Sequence, residues 1–360
     1  MTRAVGVISG TSMDGIDVAW LDGDGETIHR VGPGATYPYP EDVAQRLRAV
    51  IADPQAAAGP LPELERDVTD AHVAAVERFL GEFSVTRASV ALVGLHGQTV
   101  LHRPQGRLTR QLCDGARAAA ALGLDVVADF RSADVAAGGE GAPLVPLYHA
   151  ALAQGLERPL MLLNWGGVGN VTYLGRDGEI LAFDTGPANA PIDDFVRRRR
   201  GLSHDEGGAL AAQGRSDEAL IAAWMSDRYF TRPAPKSLDR NHFHALTRGA
   251  DALSDEDGAA TLSAFAVEAT AAALAHVPEA PARWLVCGGG RRNALLMARL
   301  KARLGVQVEP VEAIGQDGDF IEAACFAHLA LRSRRGLPLS LPTTTGAPAP
   351  LTGGVFWARP

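Results

Sequence analysis

The residues best suited to chemistry lie in short glycine-rich segments. Asp184 opens the run Asp184-Thr-Gly-Pro-Ala-Asn189, directly after an apolar stretch. A carboxylate at a strand end, facing the kind of crevice where α/β folds bind ligands, suits general-base work. The same residue also suits capping a following helix. Near the start of the chain, Gly10-Thr-Ser-Met-Asp-Gly15, followed by Ile16 and Asp17, joins two short apolar runs. Backbone amides at Gly10 and Gly15 and the hydroxyls of Thr11 and Ser12 can hold phosphate, and Asp14 or Asp17 can orient a magnesium-bound water. The segment has no GxxxxGK[ST] pattern and no lysine, so it is not the usual P-loop. An ordinary hairpin turn accounts for the same residues.

Three further clusters carry candidate groups. Gly288-Gly-Gly-Arg-Arg-Asn293 falls between a strand-like and a helix-like segment. Its amides at Gly288, Gly289 and Gly290 and the Asn293 side chain can lie against a nucleotide, while the helix start faces an anion. His96 and Gln98 follow an apolar run and can hydrogen-bond a sugar, although a lone histidine is commonly structural. Asp134 is a second acid, with Arg131 nearby for a phosphate or carboxylate; a salt-bridged loop explains that pair equally well. The Arg197 to Arg200 run fits a helix end and is assigned no chemistry.

The elements that must position these groups alternate in type. Ala4 to Ser9 and Ile16 to Leu21 read as an N-terminal hairpin, followed by a helix over about Leu61 to Leu80, where apolar residues recur at three and four. A strand Val90 to Leu95, a helix around Ala116 to Leu122 and a strand Val126 to Phe130 come next. The pattern then returns: strands Leu160 to Asn164, Val171 to Leu174 and Ile180 to Phe183, a helix over roughly Ala259 to His276, a strand Trp284 to Cys287 and a helix Ala294 to Leu304. Strands alternating with helices predict an α/β architecture, here outlined twice. Arg131 to Gln154 and Gly201 to Leu246 lack periodicity and read as site-building loops and short helices.

Composition excludes several classes. At 360 residues the chain suits two domains, and a hydrophobic share of 46% with 21% charged residues is ordinary for a globular protein. A net charge of −8 argues against a general nucleic-acid binder. Glycine, at 40 residues, exceeds the usual ~7% and clusters where backbone must approach a ligand. Cys113, Cys287 and Cys325 offer neither a disulfide framework nor zinc-ligand spacing, so a reducing cytoplasm is expected and no metal-ligand cluster is assigned. No signal-peptide core is visible, and no stretch approaches a membrane span, so no membrane partner is expected.

Taken together, the segments resemble the anhydro-N-acetylmuramic acid kinases of bacterial cell-wall recycling. The motifs are SGTSMDGID at Ser9 to Asp17, GLHGQTVLHRP at Gly94 to Pro104, DFRSADVAAGGEGAPLVP at Asp129 to Pro146, NWGGVGN at Asn164 to Asn170, FDTGPAN at Phe183 to Asn189, PKS at Pro235 to Ser237, CGGGRRN at Cys287 to Asn293 and EAACFAHLA at Glu322 to Ala330. They span nearly the whole chain. The resemblance implies the two-domain α/β fold of actin, hexokinase and the heat-shock chaperone ATPases, with ATP and magnesium in the interdomain cleft. It implies hydrolysis of the 1,6-anhydro bond of the sugar and phosphorylation of the released 6-oxygen, giving N-acetylmuramic acid 6-phosphate and ADP.

By position, the resemblance makes Asp184 the base. It puts the nucleotide on Gly10 to Asp17, Met13 and Ile16 included, and on Gly166, Gly167, Gly288, Gly289, Gly290 and Asn293. The sugar falls to His96, Gln98, Thr99, Arg131, Asp134 and Glu322. The expected domains are 1–130, with the phosphate hairpin, and 131–339, with the base and nucleotide loop, while a tail at about 340–360 can return to the first. A small-molecule sugar is the expected partner, and a homodimer stays open. Two departures stand out: Ala188 where relatives commonly have glycine, and Leu-Asp-Arg240 after Pro235-Lys-Ser237, neither expected to touch Asp184. A kinase for another anhydrosugar such as levoglucosan, and a non-catalytic ATP-binding sensor, are the competing expectations.

Overall fold

The computed structural model describes residues 1–10, 13 and 15–360. Twelve strands form two sheets: β1 (Thr2–Ser9), β2 (Ile16–Gly23), β3 (Ile28–Tyr37), β4 (Leu92–Arg103), β5 (Leu108–Leu112), β6 (Val126–Ala128) and β12 (Val355–Trp357) in one, and β7 (Leu160–Trp165), β8 (Val168–Leu174), β9 (Ile180–Pro187), β10 (Arg283–Cys287) and β11 (Gln307–Pro310) in the other. Among the described residues the helices are α1 (Glu41–Ala52), α2 (Pro54–Ala58), α3 (Pro62–Glu82), α4 (Gly115–Leu122), α5 (Ser132–Ala137), α6 (Pro146–Leu152), α7 (Asn189–Arg200), α8 (Glu218–Met225), α9 (His244–Thr247), α10 (Asp255–Ala271), α11 (Ala294–Leu304), α12 (Ile321–Arg334) and α13 (Pro342–Thr345).

The expected doubling is present as topology. The first sheet runs β12-β6-β4-β1-β2-β3 with β5 on β4, and the second β11-β10-β7-β8-β9. In each, three consecutive strands pair antiparallel and the first of them then pairs parallel with a later strand. Each parallel crossover requires helical connections, which the Ala-rich segments supply. Helix α3 starts with Pro62 in its first turn and Glu63 and Glu65 beside the positive helix end; Leu64, Val68, Ala71, Ala75 and Phe79 form its buried stripe. Helix α11 starts at the Asn293 cap and stops at Gly305 in the left-handed conformation.

The chain divides into two compact units, 1–154 with 320–360, and 155–319. These bounds differ from the expected 130/131 and 339/340. The physical reason at the second bound is α12, which lies directly on the first sheet. A Cβ on Gly6 of β1 would fall 1.9 Å from Ala323 O, and one on Gly94 of β4 would fall 2.1 Å from Phe326 O. The tail after α12 supplies β12, paired antiparallel with β6.

Local differences have local causes. β3 is mostly half-buried or exposed and lacks the apolar alternation that would announce a strand. His96 to Thr99 lie inside β4, and Asp184 to Pro187 inside β9, where loops were expected to begin. Contrary to the sequence expectation, Asp255–His276 is long and apolar enough to cross a membrane by composition; 72% of its most apolar stretch is buried within the fold, as in a core helix.

Candidate active site

In the second unit one row of paired residues leads across the sheet to Asp184, and the Gly166 and Gly288 segments follow shortly after two of its members, Asn164 and Cys287. Cys287 of β10 pairs with Asn164 of β7, Asn164 with Asn170 of β8, and Asn170 with Asp184 of β9. The row crosses the carboxyl ends of β7 and β10, the edge at which α/β sheets bind ligands. Asp184 is held along its length: its N–H donates to Lys236 O at 2.9 Å, its C=O accepts from the Tyr229 hydroxyl at 2.6 Å, and Oδ2 accepts the Leu238 N–H at 2.8 Å. Its side chain remains part-exposed. Helix α7 has no side-chain cap, which removes the capping explanation for Asp184.

The two sequence departures resolve here. Ala188 has φ −127°, so no glycine is required at that position. Leu238 does touch Asp184, contrary to expectation, but through a backbone N–H that any residue except proline supplies.

The glycine loop after β10 has two kinds of glycine. Gly288, at φ +74°, would place a Cβ 2.4 Å from Asn164 Oδ1, and a Cβ on Gly290 would lie 2.8 Å from that of Trp165. Both are demanded by close packing on β7. A Cβ on Gly289 would meet nothing within 4 Å, so this residue faces open space. Asn293 Oδ1 accepts the Leu296 N–H at 3.1 Å as the α11 cap, a structural engagement the sequence assigned to nucleotide. Gly166 and Gly167 form the turn between β7 and β8, where the Gly166 carbonyl accepts from Asn189 Nδ2 at 3.0 Å.

In the first unit, Thr11, Ser12 and Asp14 lie outside the described residues. Gly10 O accepts both the Met13 N–H at 3.1 Å and Gln98 Nε2 at 3.2 Å, and Met13 takes φ +57°. Gln98 is fully buried, so its amide holds this turn instead of facing a sugar. Beneath it, the Tyr39 hydroxyl donates to Ser9 Oγ at 2.7 Å, and His72 Nε2 lies 3.2 Å from the same oxygen. Ile16 is a core residue, its side chain buried in the first unit. Asp17 Oδ1 accepts from Thr36 at 2.6 Å. Thr99 Oγ1 accepts from Gln111 at 3.2 Å.

His96 and Arg131 are hydrogen-bonded, and the Arg131 charge acts on Glu322. His96 Nδ1 is 2.8 Å from Gly97 O and its Nε2 is 2.9 Å from Arg131 Nε. With Arg131 donating, Nε2 is the acceptor and Nδ1 carries the proton. Burial first, then the Arg131 charge, keeps the imidazole neutral, well below its usual range. Arg131 also donates to Gly141 O at 2.7 Å, and its charge opposes the rise that burial gives the Glu322 carboxyl. Glu322 lies in the first turn of α12, with solvent access as a residue although its carboxyl is set among protein atoms that raise it.

Asp134 is turned inward. It is 3% exposed and accepts from the Gly141 N–H at 2.7 Å, the Thr345 hydroxyl at 2.7 Å and the Ser340 hydroxyl. It ties the 139–141 loop to the C-terminal tail, in place of the sugar contact or salt bridge that the sequence suggested. Lys236, Tyr229 and Tyr39 were not singled out from sequence. Lys236 lies in the PKS motif, but only the tertiary contacts reveal its role.

The family model for anhydro-N-acetylmuramic acid kinase matches residues 2–358. The chain belongs to the anhydro-N-acetylmuramic acid kinase family. A relative in Rhodospirillum rubrum bearing that name is 54% identical over 356 residues, covering 98% of this chain and 94% of its own. Another, in Acidiphilium cryptum, is 52% identical over 356 residues, covering 98% and 97%. Among solved structures, the (R)-2-hydroxyglutaryl-CoA dehydratase component A of Acidaminococcus fermentans aligns with a TM-score of 0.51 at 10% identity, over 93% of this chain and 100% of that one. At that identity the likeness speaks for the fold alone. With the repeated sheet topology, it gives this anhydro-N-acetylmuramic acid kinase family member the expected two-unit α/β fold.

Proposed function

We propose that this chain is an ATP-dependent kinase that opens the 1,6-anhydro ring of 1,6-anhydro-N-acetylmuramic acid with water and phosphorylates the freed 6-oxygen. The products are N-acetylmuramic acid 6-phosphate and ADP, a step in peptidoglycan recycling, carried out in the cytoplasm. The observation that carries the reading is Asp184: a part-exposed carboxylate at the ligand-binding edge of its sheet, fixed by the Leu238 N–H.

Asp184 takes a proton from water, whose oxygen bonds to the anomeric carbon as the bond from that carbon to the bridging 6-oxygen breaks. The freed 6-oxygen attacks the γ-phosphorus and ADP departs. The turn from Gly10 to Asp17 is the first unit's proposed phosphate-binding segment, the loop at Gly288 to Gly290 the second unit's proposed nucleotide-binding segment, and Glu322 binds the sugar. The donor set at the turn fits magnesium, since Asp17 offers hard carboxylate oxygen suited to a metal-bound water. When bound, magnesium neutralises phosphate charge.

The test is incubation with ATP, magnesium and the anhydrosugar in oxygen-18 water. Label is expected at the anomeric carbon and absent from the phosphate. Asp184→Asn should lower turnover by ~10² to 10⁴-fold while ATP affinity stays within several-fold. Label in the phosphate, or undiminished turnover of the variant, would overturn the assignment.

A further inference from the structure

We propose that Lys236 is a positioning residue that fixes Asp184 for proton abstraction by closing a ring of hydrogen bonds around it. The inference rests on the reading of Asp184 as the base. Lys236 is 5% exposed. Its Nζ lies 3.1 Å from Tyr229 O, 3.4 Å from Phe230 O and 3.1 Å from His276 Nε2, and 4.6 Å from the centre of the Tyr229 ring. Tyr229 in turn donates its hydroxyl to Asp184 O at 2.6 Å, while the Lys236 carbonyl accepts the Asp184 N–H at 2.9 Å. Two residues on, the Leu238 N–H reaches the Asp184 carboxylate at 2.8 Å.

The segment 229–238 therefore grips Asp184 at its amide, its carbonyl and its carboxylate. The Lys236 side chain bonds the start of that segment to its end. Without it, Tyr229 O keeps the Arg232 N–H and Phe230 O keeps His276 Nε2 at 2.8 Å, but the bonds that tie the start of the segment to its end are lost and the ends of the grip can separate. Misplacement of a reacting group by about 1 Å costs ~10²-fold in rate, so the ring acts on turnover more than on ligand affinity. An aliphatic side chain would pack in the same space but could not bond the carbonyls. Retaining a buried ammonium there, despite its desolvation cost, points to the bonds it makes.

The groups facing Nζ are His276, Tyr229, Arg232 and Asp184. Burial and the Arg232 charge lower Lys236 to about 8, with Asp184 opposing. Above that pH the ammonium becomes an amine and the charge-assisted bonds weaken. The contribution of Lys236 to stability has the opposite sign. Between about 8 and its ordinary 10.5 the unfolded chain holds the proton more tightly, so this contribution rises with pH. A fall in kcat over that range therefore does not come from unfolding driven by Lys236.

The experiment is the pH profile of kcat for the full chain, with Lys236→Met, Tyr229→Phe and Asp184→Asn in parallel. The native chain should lose kcat as pH rises through about 8. Lys236→Met should lower kcat by ~10 to 10²-fold, with KM for ATP and sugar within ~3-fold and no alkaline limb. Tyr229→Phe removes one hydroxyl; kcat should fall by ~3 to 10-fold and the limb should remain. A Lys236→Met profile matching the native one overturns the inference. Should that variant not fold, a native profile flat to pH 9, or native kcat in Tyr229→Phe, overturns it equally. Undiminished turnover in Asp184→Asn would instead remove the base assignment, a separate outcome.

Discussion

Gln98 and Asp134 illustrate how a polar residue in a motif can serve the protein and not the ligand. Both were assigned to sugar from sequence, and both are buried with their polar atoms bonded to the chain. Gln98 donates to Gly10 O and Thr99 O and accepts from the Tyr39 hydroxyl, and through Gly10 it acts on the proposed phosphate turn. Gln98→Leu leaves the Gly10 carbonyl without its side-chain donor, a loss of about 1–3 kcal/mol in local order. KM for ATP is expected to rise ~5 to 50-fold while KM for the sugar changes little. Steady-state kinetics with each substrate varied in turn decide this, and an equal rise in both would assign Gln98 to general folding.

The glycine loop between β10 and α11 carries two duties on adjacent residues. Gly288 is held at φ +74° with Asn164 Oδ1 2.4 Å from the position of a Cβ, so alanine meets both strain and a clash. Gly289 has open space. Gly288→Ala is expected to destabilise the second unit by ~1–3 kcal/mol. Gly289→Ala should leave Tm unchanged, and a bulkier Gly289→Val should weaken ATP binding at native stability. Thermal unfolding with nucleotide titration separates the two positions, and a Gly289→Ala variant as unstable as Gly288→Ala would refute the distinction.

Acid should act unevenly on the molecule, because among the described residues the first unit holds four deeply buried histidines, His72, His96, His149 and His328, all lowered by burial. Burial lowers His72 to about 4, and His149 and His328 to about 3. Below their ordinary 6.5 the unfolded chain binds protons that the folded chain refuses, so stability is lost as pH falls toward these values. Each refused proton is worth a few kcal/mol, and Tm should drop by ~10 °C or more between pH 6.5 and pH 4. His328 has neither ring nitrogen hydrogen-bonded among the described residues. His328→Leu should therefore raise Tm at neutral pH and flatten the acid slope, both read by calorimetry. An unchanged slope would show that this histidine is not a source of the acid sensitivity.

The sequence by itself determined the α/β class, the doubled strand order and the place of Asp184, the candidate base. Apolar runs, glycine turns and caps are local signals, and eight motifs in order are specific to one family. Asp184 was legible because a carboxylate beside a buried run is conspicuous in one dimension. What tertiary structure decided was which way each polar side chain points. Periodicity cannot tell that Gln98 reaches back to Gly10, 88 residues away in sequence, or that Asp134 binds Thr345, 211 residues on. Nor could it place α12 on β1, since Gly6 and Gly94 look like ordinary strand residues until a helix backbone is seen lying against them. Lys236 remained silent for the same reason: its function is a set of bonds between segments that meet only when the chain has folded.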